Sequence, residues 1–338
     1  MFIILVIAVV SLGYTVDVRA SLEGVTKIFS AFCAYGIAYN SVKNYVDANR
    51  VVNSIVLASI VPLLFGFYQA ITGNYDQVHA GATERVNSVF GVGNAYGIFL
   101  SCTICAVTIA LLNKSIGLKQ RIFFIVLLFG MLASQVLALN RGTWLALTAS
   151  VILALFPYRK KVKIRWFILG ALVITAAFSG VIYERLTTVS YDWQGQKQDT
   201  LKGRIDYWRS IIPMILDDPI AGHGIGTTAE YENDDISRPP HNDYIRLAMD
   251  IGIPGSILYA YFLLSLSHNF LRKRNVVGDK LFRYNFPMAV LSSYFVVISM
   301  TQNVIYSLTN FIIFMALAGT VIKLNLITAV PLTLLKKV

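Results

Sequence analysis

At 338 residues, with 56% apolar residues, 14% charged residues and a mean hydropathy of +0.62, the chain is too hydrophobic for a soluble domain, in which about a quarter of residues carry charge. This composition describes an all-α polytopic integral membrane protein. The net charge of +11 does not point to nucleic acid, because Lys and Arg gather in short clusters between apolar runs, as membrane topology demands.

In chain order, apolar runs occupy 2–16, 26–42, 51–73, 93–112, 122–139, 143–158, 166–183, 243–268, 284–306 and 309–322. Each approaches the ~20 residues that cross a bilayer core, which predicts about ten transmembrane helices in a single domain over 1–338. The first run has no basic segment before it, so it reads as a short first span rather than a cleaved signal peptide. The run 26–42 is the most polar. Cys33, Cys102 and Cys105 all lie in apolar runs. Cys102 and Cys105 form a CxxC with no second pair or nearby His, so they read as small packing residues, and no metal site or cofactor is expected.

Basic residues set the expected orientation. Lys114, Lys119 and Arg121 fall in one loop, Arg159, Lys160, Lys161, Lys163 and Arg165 in a second, and Arg272, Lys273, Arg274, Lys280 and Arg283 in a third. These loops alternate correctly for the cytoplasmic side, with both termini cytoplasmic. The opposite side then receives 74–92, 140–142, 302–308 and the long segment 183–240. That last segment holds ten of the eighteen acids, against six basic residues. It is read as one long external loop with room for polar chemistry.

The candidate chemical residues collect on that external side. His241 follows Pro239 and Pro240 and precedes Asn242 and Asp243, at the expected N-terminus of a spanning helix. The helix dipole there favours a neutral ring, which suits a general base; a capping or interfacial histidine is the plainer alternative. Arg141 lies in NRGTW, between two apolar runs, and needs an anion at the membrane edge, either a lipid headgroup or a bound pyrophosphate. Arg204 and Arg209 flank Trp208 in GRIDYWRSIIPMIL, whose Ile205, Trp208, Ile212 and Ile215 recur at helical spacing and suggest a helix on the membrane surface. The arginines there either bind substrate or snorkel to water. Arg85 and Asn94 form a further pair of candidates. The segment GHGIG lacks the Lys-Ser/Thr of a phosphate loop and reads as a tight turn with a structural His223. Arg246 and Asp250, four apart on one helix face, are expected to pair.

Four motifs in order, RVNSVFGVGN, NRGTWLAL, GRIDYW with DDPIAGHGIG, and HNDYIRLAMDIGIPG, resemble those of the bacterial O-antigen ligase and O-antigen polymerase family over about 85–255. The resemblance implies a GT-C-like membrane glycosyltransferase at the outer face of the cytoplasmic (inner) membrane, acting on glycans carried by undecaprenyl pyrophosphate. It also implies that neither a metal nor a nucleotide sugar is needed. By that resemblance Arg141 and Arg204 would bind the pyrophosphate, with Arg85 as a further basic position, and His241 would activate the acceptor hydroxyl. Here NAYG follows Gly93, where a Pro-Asn pair is more usual in the family.

The acceptor stays open at this level. It is a lipid-linked repeat for a polymerase, slightly favoured by the unbroken HNDYIRLAMDIGIPG, lipid A core for a ligase, or Ser/Thr for a protein O-oligosaccharyltransferase. Other polysaccharide assembly proteins are conceivable partners beside the lipid bilayer. A flippase or transporter would bind the same glycan without breaking a bond. It would show ionisable residues near the membrane midplane and repeated halves, whereas the charges here concentrate on one face.

Overall fold

A computed structural model describes residues 1–74, 86–91, 93–158, 180, 190–191, 197–198, 200–229, 240–272 and 279–329. The helices are α1 (Phe2–Val10), α2 (Val18–Ser41), α3 (Tyr45–Ala58), α4 (Ile60–Thr72), α5 (Gly93–Leu111), α6 (Leu118–Leu137), α7 (Arg141–Tyr158), α8 (Thr200–Asp217), α9 (Asp243–Arg272), α10 (Asp279–Ile298) and α11 (Leu308–Ala329). Single 3-10 turns follow α1 (Ser11–Gly13), precede α5 (Ser88–Phe90) and follow α8 (Thr227–Ala229). Two-residue strands β1 (Ser190–Tyr191) and β2 (Lys197–Gln198) pair antiparallel, Ser190 opposite Gln198.

Local chemistry explains several boundaries. Asp17 caps α2 by accepting from the amides of Arg19 and Ala20 at 2.7 and 3.1 Å, and Asn44 caps α3 in the same way at 2.8 and 3.1 Å. Gly73, at φ +66°, closes α4 in the left-handed conformation that a side chain resists. The helices leave large apolar side chains exposed on the outside, as a lipid solvent permits, and bury scattered polar groups among the apolar core. On α6, Ile122, Val126 and Phe129 are exposed while Ser134 and Gln135 are buried. The most enclosed spans are α5 and α10. Around α10 the core is aromatic: Phe295 stacks on Phe314 of α11 with centroids 4.0 Å apart, and Phe311 lies against Tyr259 of α9 at 6.5 Å.

Among the described residues six helical stretches are long and apolar enough to cross a membrane, against the expected count of about ten. They correspond to the runs beginning at 51, 93, 122, 243, 284 and 309. The first run folds into a helix and 3-10 turn of only Phe2–Gly13, and the run after Arg141 is likewise a shorter apolar helix. The run 26–42 forms the long helix α2 but is too polar to qualify. The run 166–183 lies outside the described residues, apart from Gly180. The helix α9 is not continuous: Ile251 (φ −131°, ψ 25°) and Gly252 (φ +76°, ψ 168°) break it one residue before Ile253-Pro254.

Close helix contacts use glycine where backbone must meet backbone or ring. A Cβ on Gly319 of α11 would stand 2.5 Å from the Tyr35 carbonyl oxygen of α2, whereas one on Gly36 would meet nothing within 4 Å. Gly319→Leu should therefore lower stability by about 1–3 kcal/mol, the usual range for overpacking, and Gly36→Leu should be close to neutral. Thermal unfolding midpoints of the two variants in the same detergent check this.

Candidate active site

The site is assembled on the short connection between α10 and α11, residues 299–307, because three other segments bond to it and a fourth packs closely against it. The first is the start of α7. Leu139 holds φ +50°, and the buried Asn140 then caps α7, its Oδ1 accepting from the Thr143 amide at 3.3 Å while its carbonyl accepts from Thr143 Oγ1 at 2.9 Å. Gly142 brings this turn against the connection: a Cβ there would lie 3.3 Å from both Asn140 Oδ1 and Thr301 Oγ1. Arg141, half-buried, lies between Asn140 and Gly142 in this turn.

The second segment is the start of α5. Asn94 donates from Nδ2 to Gln302 Oε1 at 2.9 Å and accepts from Asn140 Nδ2 at 2.8 Å. Its amide is engaged by protein at both ends and braces α5, α7 and the connection together. Upstream, Gln69 of α4 accepts from the Ser88 amide at 2.7 Å and bonds Asn87 at 2.8 Å, fixing the turn in which Ser88 holds φ +51°.

The third segment is α8. The half-buried Arg204 donates from Nη1 to the Thr301 carbonyl at 3.4 Å, and burial lowers its pKa from the ordinary arginine value. Arg209, five residues on and so roughly 140° around the helix, points elsewhere. Its side chain is 76% exposed and lies 3.6 Å from Asp206. Ile211 and Ile215, flanked by Tyr207 and Met214, pack on Ile245, Ala248 and Met249 of α9. The buried face therefore differs from the predicted one, since Ile212 is 48% exposed. The helix has apolar residues on two sides, and α9 covers only one of them.

The fourth segment leads into α9. Trp208 Nε1 donates to the Pro240 carbonyl at 2.7 Å, anchoring the residue before His241. His241 has φ +48°, a strained conformation for a non-glycine residue. The helix cap is supplied by Asn242, whose Oδ1 accepts from the Tyr244 and Ile245 amides at 2.9 and 3.2 Å; His241 stands just outside it. Next comes Asp243, fully buried. Its amide donates to the Ser299 carbonyl at 2.8 Å, and its carboxylate accepts from the Val304 amide at 3.0 Å, the Ile305 amide at 3.3 Å and Tyr259 Oη at 3.2 Å. One carboxylate thus clamps the start of α9 onto the α10–α11 connection.

Behind the site, the glycine turn packs into the break of α9. His223 and Gly224 amides donate to the Met249 and Asp250 carbonyls at 3.0 and 2.8 Å, and the Ile253 amide donates to Pro219 at 2.8 Å. Gly222 and Gly224 adopt φ +70° and +106°, and a Cβ on Gly222 would stand 2.5 Å from the Gly252 nitrogen. This is the tight turn expected, and His223 Nε2 lies 3.0 Å from the Met214 carbonyl in a structural contact. Arg246 and Asp250 approach to 3.8 Å as the spacing predicts, with the guanidinium 4.0 Å above the Tyr306 ring. Asp250 also bonds Thr228 and Tyr306. The N-terminal turn closes over this region through Tyr14 Oη, which donates to the Ala221 carbonyl at 2.6 Å.

The segments bearing Asn94, Arg141, Arg204 and His241 therefore converge on one connection, whereas Arg209 faces away and Arg85 lies outside the described residues. Asp243, Thr301 and Gln302 were not singled out from sequence. The only signal for the last two was a short polar interval between two apolar runs. The three positive-φ non-glycine residues among those described, Ser88, Leu139 and His241, all lie in the segments that build the site or its brace; backbone strain of this kind concentrates at functional sites.

Residues 123–260, from α6 through the first half of α9, match the family model Wzy_C, described as O-antigen ligase. No curated protein matches the chain.

If Asp243 is the clamp, Asp243→Asn should cost about 1–3 kcal/mol, because an amide cannot accept at both oxygens and leaves a buried N–H unsatisfied. Hydrogen–deuterium exchange of the peptide carrying Val304 and Ile305 should accelerate, and unchanged exchange would refute the clamp.

Proposed function

We propose that this chain, whose residues 123–260 match the O-antigen ligase family model, is a membrane glycosyltransferase that moves a glycan from undecaprenyl pyrophosphate to an acceptor hydroxyl at the outer face of the cytoplasmic membrane. The observation that supports this reading best is the convergence of the Arg141, Arg204 and His241 segments on residues 299–305. Two guanidinium groups and one imidazole are what a single displacement at an anomeric carbon requires.

The acceptor oxygen forms the new bond to the anomeric carbon while the bond from that carbon to the pyrophosphate oxygen breaks, with inversion. His241 takes the proton that the attacking hydroxyl loses. The departing pyrophosphate gains negative charge, which Arg141 and Arg204 neutralise with planar, multiply donating groups fixed in place before reaction. Partial burial of Arg204 strengthens that interaction. Asn94 and Trp208 act through the backbone they brace, Asn94 by holding the Arg141 turn and Trp208 by holding Pro240 ahead of His241. No protein group in this scheme is a metal ligand. Arg209 and Arg85 have the weaker claim, as contacts to the glycan or lipid outside the reacting centre. Polymerisation onto a lipid-linked repeat is the favoured acceptor reaction, with ligation onto lipid A core as the second.

His241→Ala should abolish transfer by purified protein in vesicles supplied with lipid pyrophosphate-linked repeats, while the protein still retains the donor. Wild-type transfer by that variant would remove the base assignment. Arg141→Lys and Arg204→Lys should each lower kcat by roughly 10²–10³, the loss typical of one charge-stabilising donor, since a point charge does not replace the planar fork. In the same vesicles the wild type should produce a ladder from repeats alone. A single shifted band that needs lipid A core would instead make it a ligase, and bound donor with no product would favour a transporter.

A further inference from the structure

The two halves of α9 do not continue one another. Ser256 Oγ donates to the Tyr244 carbonyl at 2.8 Å, Tyr259 Oη donates to Asp243 Oδ2 at 3.2 Å, and the Tyr244 and Tyr259 ring centres lie 5.9 Å apart. In a straight helix residues 244 and 256 would stand roughly 18 Å apart, and 243 and 259 roughly 24 Å. The break at Ile251 and Gly252 therefore folds the first half back along the second. What crosses the membrane is the second half, from Ile253 to Arg272, whose length of roughly 30 Å matches a hydrocarbon core. Exposure agrees: none of residues 243–251 is exposed, whereas Ile253, Ile257, Tyr261 and Leu264 form a row of exposed apolar side chains that begins at the break.

The end of α8 is tied to that break. The Ile253 amide donates to the Pro219 carbonyl at 2.8 Å, and a Cβ on Gly252 would collide with the Ile220 carbonyl. Ile211 and Ile215 of α8 turn inward onto Ala248 and Met249 of the folded-back half. On the other side Ile212, Leu216 and Ile220 follow one another at four-residue steps and are 48, 64 and 77% exposed. This row differs from the one that sequence spacing selects, because Ile215 faces α9. Through Ile220 it leads directly to Ile253 and Ile257, the exposed apolar face of the span. Toward the start of α8 the same side turns polar: Arg209, three residues before Ile212, lies 3.6 Å from Asp206, and both are exposed.

Lipid is the occupant that this continuity selects, since three large aliphatic side chains in a row beside a span would otherwise leave a contiguous apolar patch in water. We propose that Ile212, Leu216 and Ile220 sit among the phospholipid acyl chains of the leaflet on the site's side of the membrane, with Asp206 and Arg209 at the level of the headgroups. α8 is then an interfacial helix held by α9 on one side and by lipid on the other. The same helix carries Arg204, so its seating in the leaflet also sets the depth of that guanidinium. The inference does not depend on the transfer reaction.

Spin labels attached through Leu216→Cys, Ile220→Cys, Ile257→Cys and Arg209→Cys test this, each in a Cys33→Ala background and in nanodiscs of phosphatidylcholine and phosphatidylglycerol. The readout is collision with oxygen, which concentrates among acyl chains, and with a water-soluble nickel chelate. Labels at the Leu216 and Ile220 positions should match the one at Ile257, with high oxygen and low nickel access, while the label at Arg209 shows the reverse. High nickel access at Leu216 and Ile220 overturns the proposal by placing the row in water. Low access to both reagents overturns it as well, because a second copy or another stretch of this chain would then cover the row. All four side chains are exposed, so the labels displace no packed group. Cys102 and Cys105 are buried and stay unlabelled.

Discussion

The structure depends most on one buried carboxylate. Asp243 sits at the first position of α9, where the helix leaves amides without partners, yet its own oxygens turn outward to another element and accept from Val304 and Ile305. An isolated carboxylate in such a place would be costly, so its bonds to two amides and to Tyr259 are a condition of its burial. The consequence is geometric. Once the start of α9 is tied to the α10–α11 connection, everything else bonded to that connection acquires a fixed relation to His241.

That dependence runs outward through short polar links. Thr301 receives Arg204 and faces Gly142, while Gln302 holds Asn94, which holds Asn140 at the cap of α7. Each link is individually worth about 1 kcal/mol, but together they join five segments far apart in sequence. Charge-stabilising groups act well only when no reorganisation is needed at the moment of reaction. A frame of buried amides supplies that rigidity, and the strained backbone at Leu139 and His241 is held in place by it. The glycine turn in the break of α9 supports the same frame from behind, since Gly252 can accept the close backbone of residues 219–222 only because it carries no side chain.

Much of the helical framework was legible in the sequence, because lipid demands long apolar runs and the chain supplies them. So were the Arg246–Asp250 pair, set by a four-residue spacing, and the GHGIG turn, set by three glycines needing positive φ. The placement of His241 just before α9 followed from the two prolines and Asn242. Other features were not legible because they depend on partners distant in sequence. Arg204 and Arg209 look alike in GRIDYWR, and only the packing of α8 on α9 turns one inward and the other to solvent. The same packing chose Ile211 over Ile212. Asp243 and Gln302 carry no local sign of their roles, since nothing near them in sequence reveals that the first anchors residues sixty positions away or that the second reaches α5. The run 2–16 was read as a span from its hydropathy, but Ser11–Gly13 ends the helix early by turning toward the glycine loop, where Ser11 Oγ accepts from the Ile225 amide.

The account stands or falls on whether these converging segments hold one pyrophosphate. The most direct measurement is a cryo-electron microscopy structure of the protein in a lipid nanodisc with undecaprenyl pyrophosphate bound. The pyrophosphate oxygens should lie within hydrogen-bond distance of Arg141 and Arg204, beside Thr301 and Gln302, with His241 facing the position of the departing sugar. A pyrophosphate bound elsewhere, with Arg141 and Arg204 remote from it, would contradict the account.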